Sequence, residues 1–135
     1  MIGPVYAGGG YTPTIKKIQN NNIKELEEWF DKYPDLVNEV TTGGATPLHM
    51  CGMSKFGESA TTTIIKYGGN IDAYDTYGFQ PIHRMSSNNL AIGIEALIIA
   101  GSNPLVKTLN GETALQIAKL SRAKDAVNVL QKFIK

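Results

Sequence analysis

Four glycines recur at a nearly fixed interval. Gly10, Gly44, Gly78 and Gly111 stand 34, 34 and 33 residues apart, and they open the blocks GYTPTI, GATPLH, GFQPIH and GETALQ. A second landmark follows later in the middle blocks: YGGNIDAYD over 67–75 and AGSNPLVKT over 100–108. YPDLVNEVT holds that place in the first block, with Asn38 aligned to Asp72. A period of this size marks one supersecondary unit used repeatedly. A single such unit cannot bury its apolar face, so neighbours must stack, and about three are needed for stability. The same period argues against reading His49 and His83 as catalytic, because a catalytic histidine needs no second copy 34 positions on.

Each unit reads as two helices. Thr46 suits a helix N-cap, where its hydroxyl accepts from an orphan backbone N–H. Pro47 then fits the first helical position, which has no need of an N–H. Thr12–Pro13 repeats the device. Leu48 and Ile82 begin the apolar face of a short helix. Gly57, or the run SSNN over 86–89, turns the chain, and Gly68 or Gly101 suits the end of a second helix. Apolar residues spaced by three and four mark the second helices. They are Leu26, Trp29 and Phe30; Ile64 and Ile65; Ile94, Leu97 and Ile98; and Val127, Leu130 and Ile134.

These blocks resemble the ankyrin repeat family, whose outline is G-x-T-P-L-H-x-A-A, a second helix, then G-A-D-x-N. The resemblance covers about residues 10–135, and the T-P-L-H of the second block carries it most strongly. It implies an all-α fold: an ankyrin-repeat solenoid of four helix–turn–helix repeats with projecting β-hairpin-like loops. The expected organisation is an N-terminal lead-in over 1–9 and one domain over 10–135, with repeats at 10–43, 44–77, 78–110 and 111–135. The terminal blocks depart from the pattern. Thr14 and Ile15 replace Leu and His in the first, and Ala114 and Gln116 replace Pro and His in the last. Polar residues such as Lys24, Glu28, Lys124 and Asn128 on the terminal second helices read as caps of a complete four-repeat domain. Gln80 in place of the capping Thr should weaken one cap by about 1 kcal/mol. Gly93 inside a helix should cost about 1 kcal/mol against Ala.

Composition narrows the function. The net charge of +1 predicts no general attraction to nucleic acid or an anionic membrane. Charge is uneven along the chain: residues 1–40 carry four Lys against six Asp/Glu, and residues 111–135 carry five Lys/Arg against two Asp/Glu. The start, MIGPVYAGGGY, lacks the basic and apolar regions of a secretory signal. The apolar run LAIGIEALIIAG is too short to span a bilayer, which takes about 20 residues. One cysteine, Cys51, excludes an internal disulfide and fits a reducing, cytoplasmic or nuclear setting. It aligns with a small core position, so a buried inert thiol is expected. GGGYTPT lacks the Lys-Ser/Thr ending of a phosphate loop.

His49 and His83 are the only histidines. Equal positions in adjacent repeats set them in a row, not around one ion, so no metal site is expected. The family motif implies that each ring bonds to the backbone or Thr of its own turn. No catalytic residue and no cofactor are expected.

The hairpin tips carry the functional expectation. Nothing in the architecture demands large apolar side chains there, yet one tip reads AYDTYGF, with Tyr74, Tyr77 and Phe79. Tyr11 holds the place in the first block that Phe79 holds in the third. Aromatic residues are enriched at binding hot spots. The resemblance places Met53, Arg84, Ser87 and Asn88 on the adjoining concave side. Thr42 and Ala45 flank them on the earlier tip, and Lys107, Leu109 and Glu112 on the later one. Tyr74, Tyr77 and Phe79 are the expected anchors, and Thr76, Arg84, Asn88 and Glu112 the expected polar register. The expected function is non-enzymatic protein–protein interaction, as adaptor, assembly factor or inhibitor. A monomer is expected. The alternatives are a self-associating structural protein or homodimer, and a small enzyme using His49 or His83.

Overall fold

A computed structural model describes residues 12–134. The lead-in, Gly10 and Tyr11 lie outside the described residues, as does the side chain of Thr42. Among the described residues the regular elements are helices, with one isolated antiparallel bridge between Lys107 and Thr113. In chain order the α-helices are α1 (Pro13–Gln19), α2 (Ile23–Lys32), α3 (Pro47–Cys51), α4 (Lys55–Glu58), α5 (Thr61–Lys66), α6 (Pro81–Ser87), α7 (Ala91–Ile99), α8 (Ala114–Leu120) and α9 (Lys124–Phe133), with 3-10 turns at Pro34–Asn38 and Thr42–Gly44 between α2 and α3. No helix among them is long and apolar enough to cross a membrane.

One local device starts the first helix of three blocks. Thr12, Thr46 and Thr113 accept from the N–H groups of Ile15, His49 and Gln116 through their hydroxyls. A reciprocal bond closes two of these caps: Thr46 N–H donates to His49 Nδ1 at 3.2 Å, and Thr113 N–H to Gln116 Oε1 at 2.8 Å. Gln80 keeps half of the device. Its N–H donates to His83 Nδ1 at 2.9 Å, but its side chain turns away and donates to the Asp72 carbonyl at 3.1 Å. Gln80 Oε1 is buried with no protein partner among the described residues. A longer amide in place of a hydroxyl therefore removes the side-chain cap of α6.

The helices pack as two rows. In one, α1 touches α3, α3 touches α6 and α6 touches α8; in the other, α2 touches α5, α5 touches α7 and α7 touches α9. The core runs between the rows through Ile15, Leu26, Leu48, Ile64, Ile82 and Ile94, all fully buried. Each such side chain stabilises the fold by about 1.5–3 kcal/mol relative to exposure. Links between consecutive blocks also use side chains. Glu58 Oε2 accepts from Gly93 N–H at 2.8 Å, at the start of α7. Asn89 Oδ1 accepts from Ala126 N–H at 3.0 Å, at the start of α9. Each carboxylate or amide satisfies a helix N-terminus belonging to the next block.

Two details depart from a plain helix–turn–helix unit. The second block carries an extra turn of helix, α4, in its inner loop. Gly93 has a packing reason: a Cβ there would lie 2.6 Å from Met85 Sδ, and Met85 is fully buried. This close approach accounts for a glycine at a helical position despite its entropic cost.

Candidate functional site

Asp75 organises the tip between α5 and α6. Its N–H donates to the Phe79 carbonyl at 2.9 Å, and its carbonyl accepts from Gly78 at 3.0 Å. Its Oδ1 accepts from the N–H groups of Tyr77 and Phe79 at 2.9 and 3.0 Å. Its Oδ2 accepts twice from Arg84, from Nε at 3.0 Å and from an Nη at 2.9 Å. Gly78 turns the chain at φ +80°, the left-handed region where glycine carries no Cβ penalty.

Arg84 is the floor of this tip. It leaves α6 one turn after the cap and is 4% exposed. Its guanidinium lies 4.0 Å from the Phe79 ring centroid and 5.7 Å from that of Tyr77. A buried cation tolerates this position because a carboxylate and two aromatic faces receive it. Expected as polar register for a partner, Arg84 is buried and packs against the aromatic residues of the tip. Phe79 is half-buried against it.

Adjacent tips are tied side by side. Thr76 N–H donates to the Gly43 carbonyl at 2.9 Å, and Leu109 N–H to the Gly78 carbonyl at 3.0 Å. The Tyr74 hydroxyl donates to the Lys107 carbonyl at 3.0 Å. Tyr74 is thus partly committed to holding the next tip. Thr76, Tyr77 and Leu109 point outward, with Tyr77 43% and Leu109 71% exposed. Glu112 is half-buried on the same later tip, its N–H bonded to Thr108 Oγ1. Thr42 opens the turn Thr42–Gly44.

Ser87 and Asn88 lie at the far end of α6, away from the aromatic tip. The Asn88 amide donates to the Gly52 carbonyl at 2.8 Å, next to the half-buried Met53. Asn88 therefore ties one inner loop to the preceding one. The expected residues divide into a tip group, Thr76, Tyr77 and Leu109 over Arg84 and Phe79, and a loop group, Met53, Ser87 and Asn88. Asp75 is the organiser that sequence reasoning passed over. The alignment held its signal: Thr41 and Thr108 occupy the same place, and Thr108 Oγ1 accepts two turn N–H groups just as Asp75 Oδ1 does.

Both histidine rings are fully buried. Each Nδ1 accepts from its own cap N–H, so each Nε2 carries the proton. His49 Nε2 donates to the Phe79 carbonyl at 2.7 Å and His83 Nε2 to the Val106 carbonyl at 3.0 Å. Burial lowers both pKa values. The rings therefore stitch each block to the following hairpin as neutral groups. The bond from His49 to Phe79 also fixes the base of the aromatic tip. Cys51 is buried, and its thiol pKa is pushed up to about 12 by desolvation.

No protein-family model matches this chain. It is similar to two Arabidopsis thaliana proteins that carry the provisional names E3 ubiquitin-protein ligase XBAT34 and XBAT35. Identity to the first is 25% over 122 residues, covering 89% of this chain and 32% of that protein. Identity to the second is 27% over 109 residues, covering 79% of this chain and 21% of that protein. The chain thus spans a third or less of the length of these relatives.

Proposed function

We propose that the chain is a non-enzymatic protein-binding module of the ankyrin-repeat kind, docking its partner on the hairpin tips. The observation that carries this reading is the exposure of Tyr77 and Leu109 on tips already bonded to one another. A surface held in place before docking loses little conformational entropy on binding. The Arg84–Asp75 pair beneath it supplies the rigidity. Both histidines serve backbone hydrogen bonds, which favours binding over chemistry at those rings. Partial similarity to the two E3 ligase proteins fits a part that holds another protein while a separate part acts. The buried Cys51 fits a cytoplasmic or nuclear setting.

The test is affinity capture from the source organism's lysate with wild type and with a Tyr77→Ser, Leu109→Ser variant of equal melting temperature. The expected outcome is one protein captured by wild type and lost with the variant. Identical captures would remove the tips as the docking surface.

A further inference from the structure

The inner loops of the first three blocks each hand an acceptor to the block that follows, and the inner loop of the last block holds out a cation. Asn21 Oδ1 accepts from the Ser59 hydroxyl, just ahead of α5. Glu58 Oε2 accepts from Gly93 N–H in α7, and Asn89 Oδ1 from Ala126 N–H in α9. Arg122 occupies the place of Asn21 and Asn89, with φ 56° against their 56° and 59°. Asparagine adopts that conformation readily and arginine does not. A guanidinium donates hydrogen bonds and accepts none. The group that suits Arg122 is therefore an acceptor, whereas a further helix pair of the stack would bring N–H groups to this place.

The surroundings of Arg122 make the same demand. Lys119, Arg122, Lys124, Val127 and Asn128 line a groove of about 460 Å³ between α8 and α9. The buried faces of these helices pack on α6 and α7, so the groove lies on the outer side. All three cations are exposed and make no ion pair among the described residues. No described carboxylate lines the groove. Asp125, the one acid of α9, accepts from the Asn89 amide of the preceding block. Val127 adds a half-buried apolar side chain, and Leu120, next to Lys119 in the chain, is 78% exposed.

We propose that this end of the stack binds an acidic segment of another protein, anchored by an apolar side chain. Carboxylates of the segment meet Lys119, Arg122 and Lys124, and the planar fork of Arg122 suits one of them through two parallel N–H bonds. The apolar side chain lies on Leu120 and Val127. That apolar area favours a peptide over a sugar–phosphate backbone. The concave shape favours an inserted chain over a bilayer surface. The groove shares no residue with the hairpin tips, so the proposal does not rest on the tip reading.

The probe is a short dye-labelled peptide of glutamates interrupted by leucines, with glutamine in place of glutamate as its control. Fluorescence anisotropy reads its affinity for the full chain at about 0.05 M and about 0.5 M salt. The glutamate peptide should bind at low salt and weaken roughly tenfold or more at high salt. Lys119→Glu with Lys124→Glu should weaken it roughly tenfold or more, and Arg122→Asn about threefold. Arg122→Asn also sets a tolerant residue at φ 56°. Its melting temperature should hold or rise, so binding lost with it is not lost folding. Tyr77→Ser should bind the peptide as wild type does, which keeps a failure of the tip reading distinct. Equal affinity for the glutamine control overturns the proposal. So does affinity that survives both cation variants, or wild type that binds nothing at low salt. Tighter binding to phosphatidylserine vesicles or to duplex DNA overturns it in favour of a membrane or a nucleic acid. Wild type that self-associates through these cations overturns it in favour of a second copy.

Discussion

Asp75 carries two separable tasks. One oxygen closes the turn through the N–H groups of Tyr77 and Phe79; the other holds Arg84. Thr108 performs only the first task in the next hairpin. Asp75→Thr should therefore keep the turn and strand the Arg84 charge in a buried site. The expected loss is about 3–5 kcal/mol in chemical denaturation, the range for breaking one side of a buried pair. Adding Arg84→Met should recover most of it, because a buried pair replaced by an apolar residue is often neutral. Failure of the second change to recover stability would mean that the aromatic stacking on Arg84, not the charge, was the larger contribution. The composition of Asp75 and Arg84 gave no hint of this pairing, since both types usually lie at the surface.

At the scale of the helix, α7 separates propensity from packing. Helix propensity alone predicts that Gly93→Ala gains about 1 kcal/mol. The new Cβ would instead press on Met85 Sδ at 2.6 Å and approach Glu58 Cγ at 3.4 Å. Met85 is fully buried and has little room to yield. Gly93→Ala should therefore destabilise, by about 1 kcal/mol, as overpacking does. Thermal melting of the variant checks the sign, and Met85→Leu in that background should restore stability. Helix starts were legible because Thr–Pro capping is local chemistry. The turn of helix in α4 was not legible, because its carboxylate Glu58 serves the N-terminus of a helix 35 residues away in sequence. No window around Lys55–Glu58 contains that partner.

For the molecule as a whole, the two histidines make block-to-block coupling depend on pH. Each folded ring has a lowered pKa and accepts a cap N–H through Nδ1. Protonation would turn that acceptor into a donor facing a donor. The unfolded state binds a proton at about pH 6.5, and the folded state only at lower pH. Stability from these rings is thus fully present above about pH 6.5 and falls as pH drops below it. The decline is at most about 1.4 kcal/mol per pH unit for each ring. Denaturation from pH 8 to 5 should show it, against a His49→Gln, His83→Gln variant with a flatter profile over that window. Gln116 already plays the acceptor role without titrating in the last block. A wild-type profile flat down to pH 5 would mean that the folded rings stay protonatable.

The sequence by itself determined the period, the paired helices and the caps that start them. Those follow from glycine spacing, cap chemistry and apolar periodicity, which act over a few neighbouring residues. It also marked Tyr77 as an aromatic with no evident place in a core. Only the tertiary structure decided which polar residues are free and which are spent on the fold. Arg84, Asn88 and Tyr74 look like surface groups in the sequence, yet each bonds to a residue 9, 36 or 33 positions away. Burial and partnership depend on what the neighbouring block brings alongside, and a side chain's exposure is a property of that packing and not of its type.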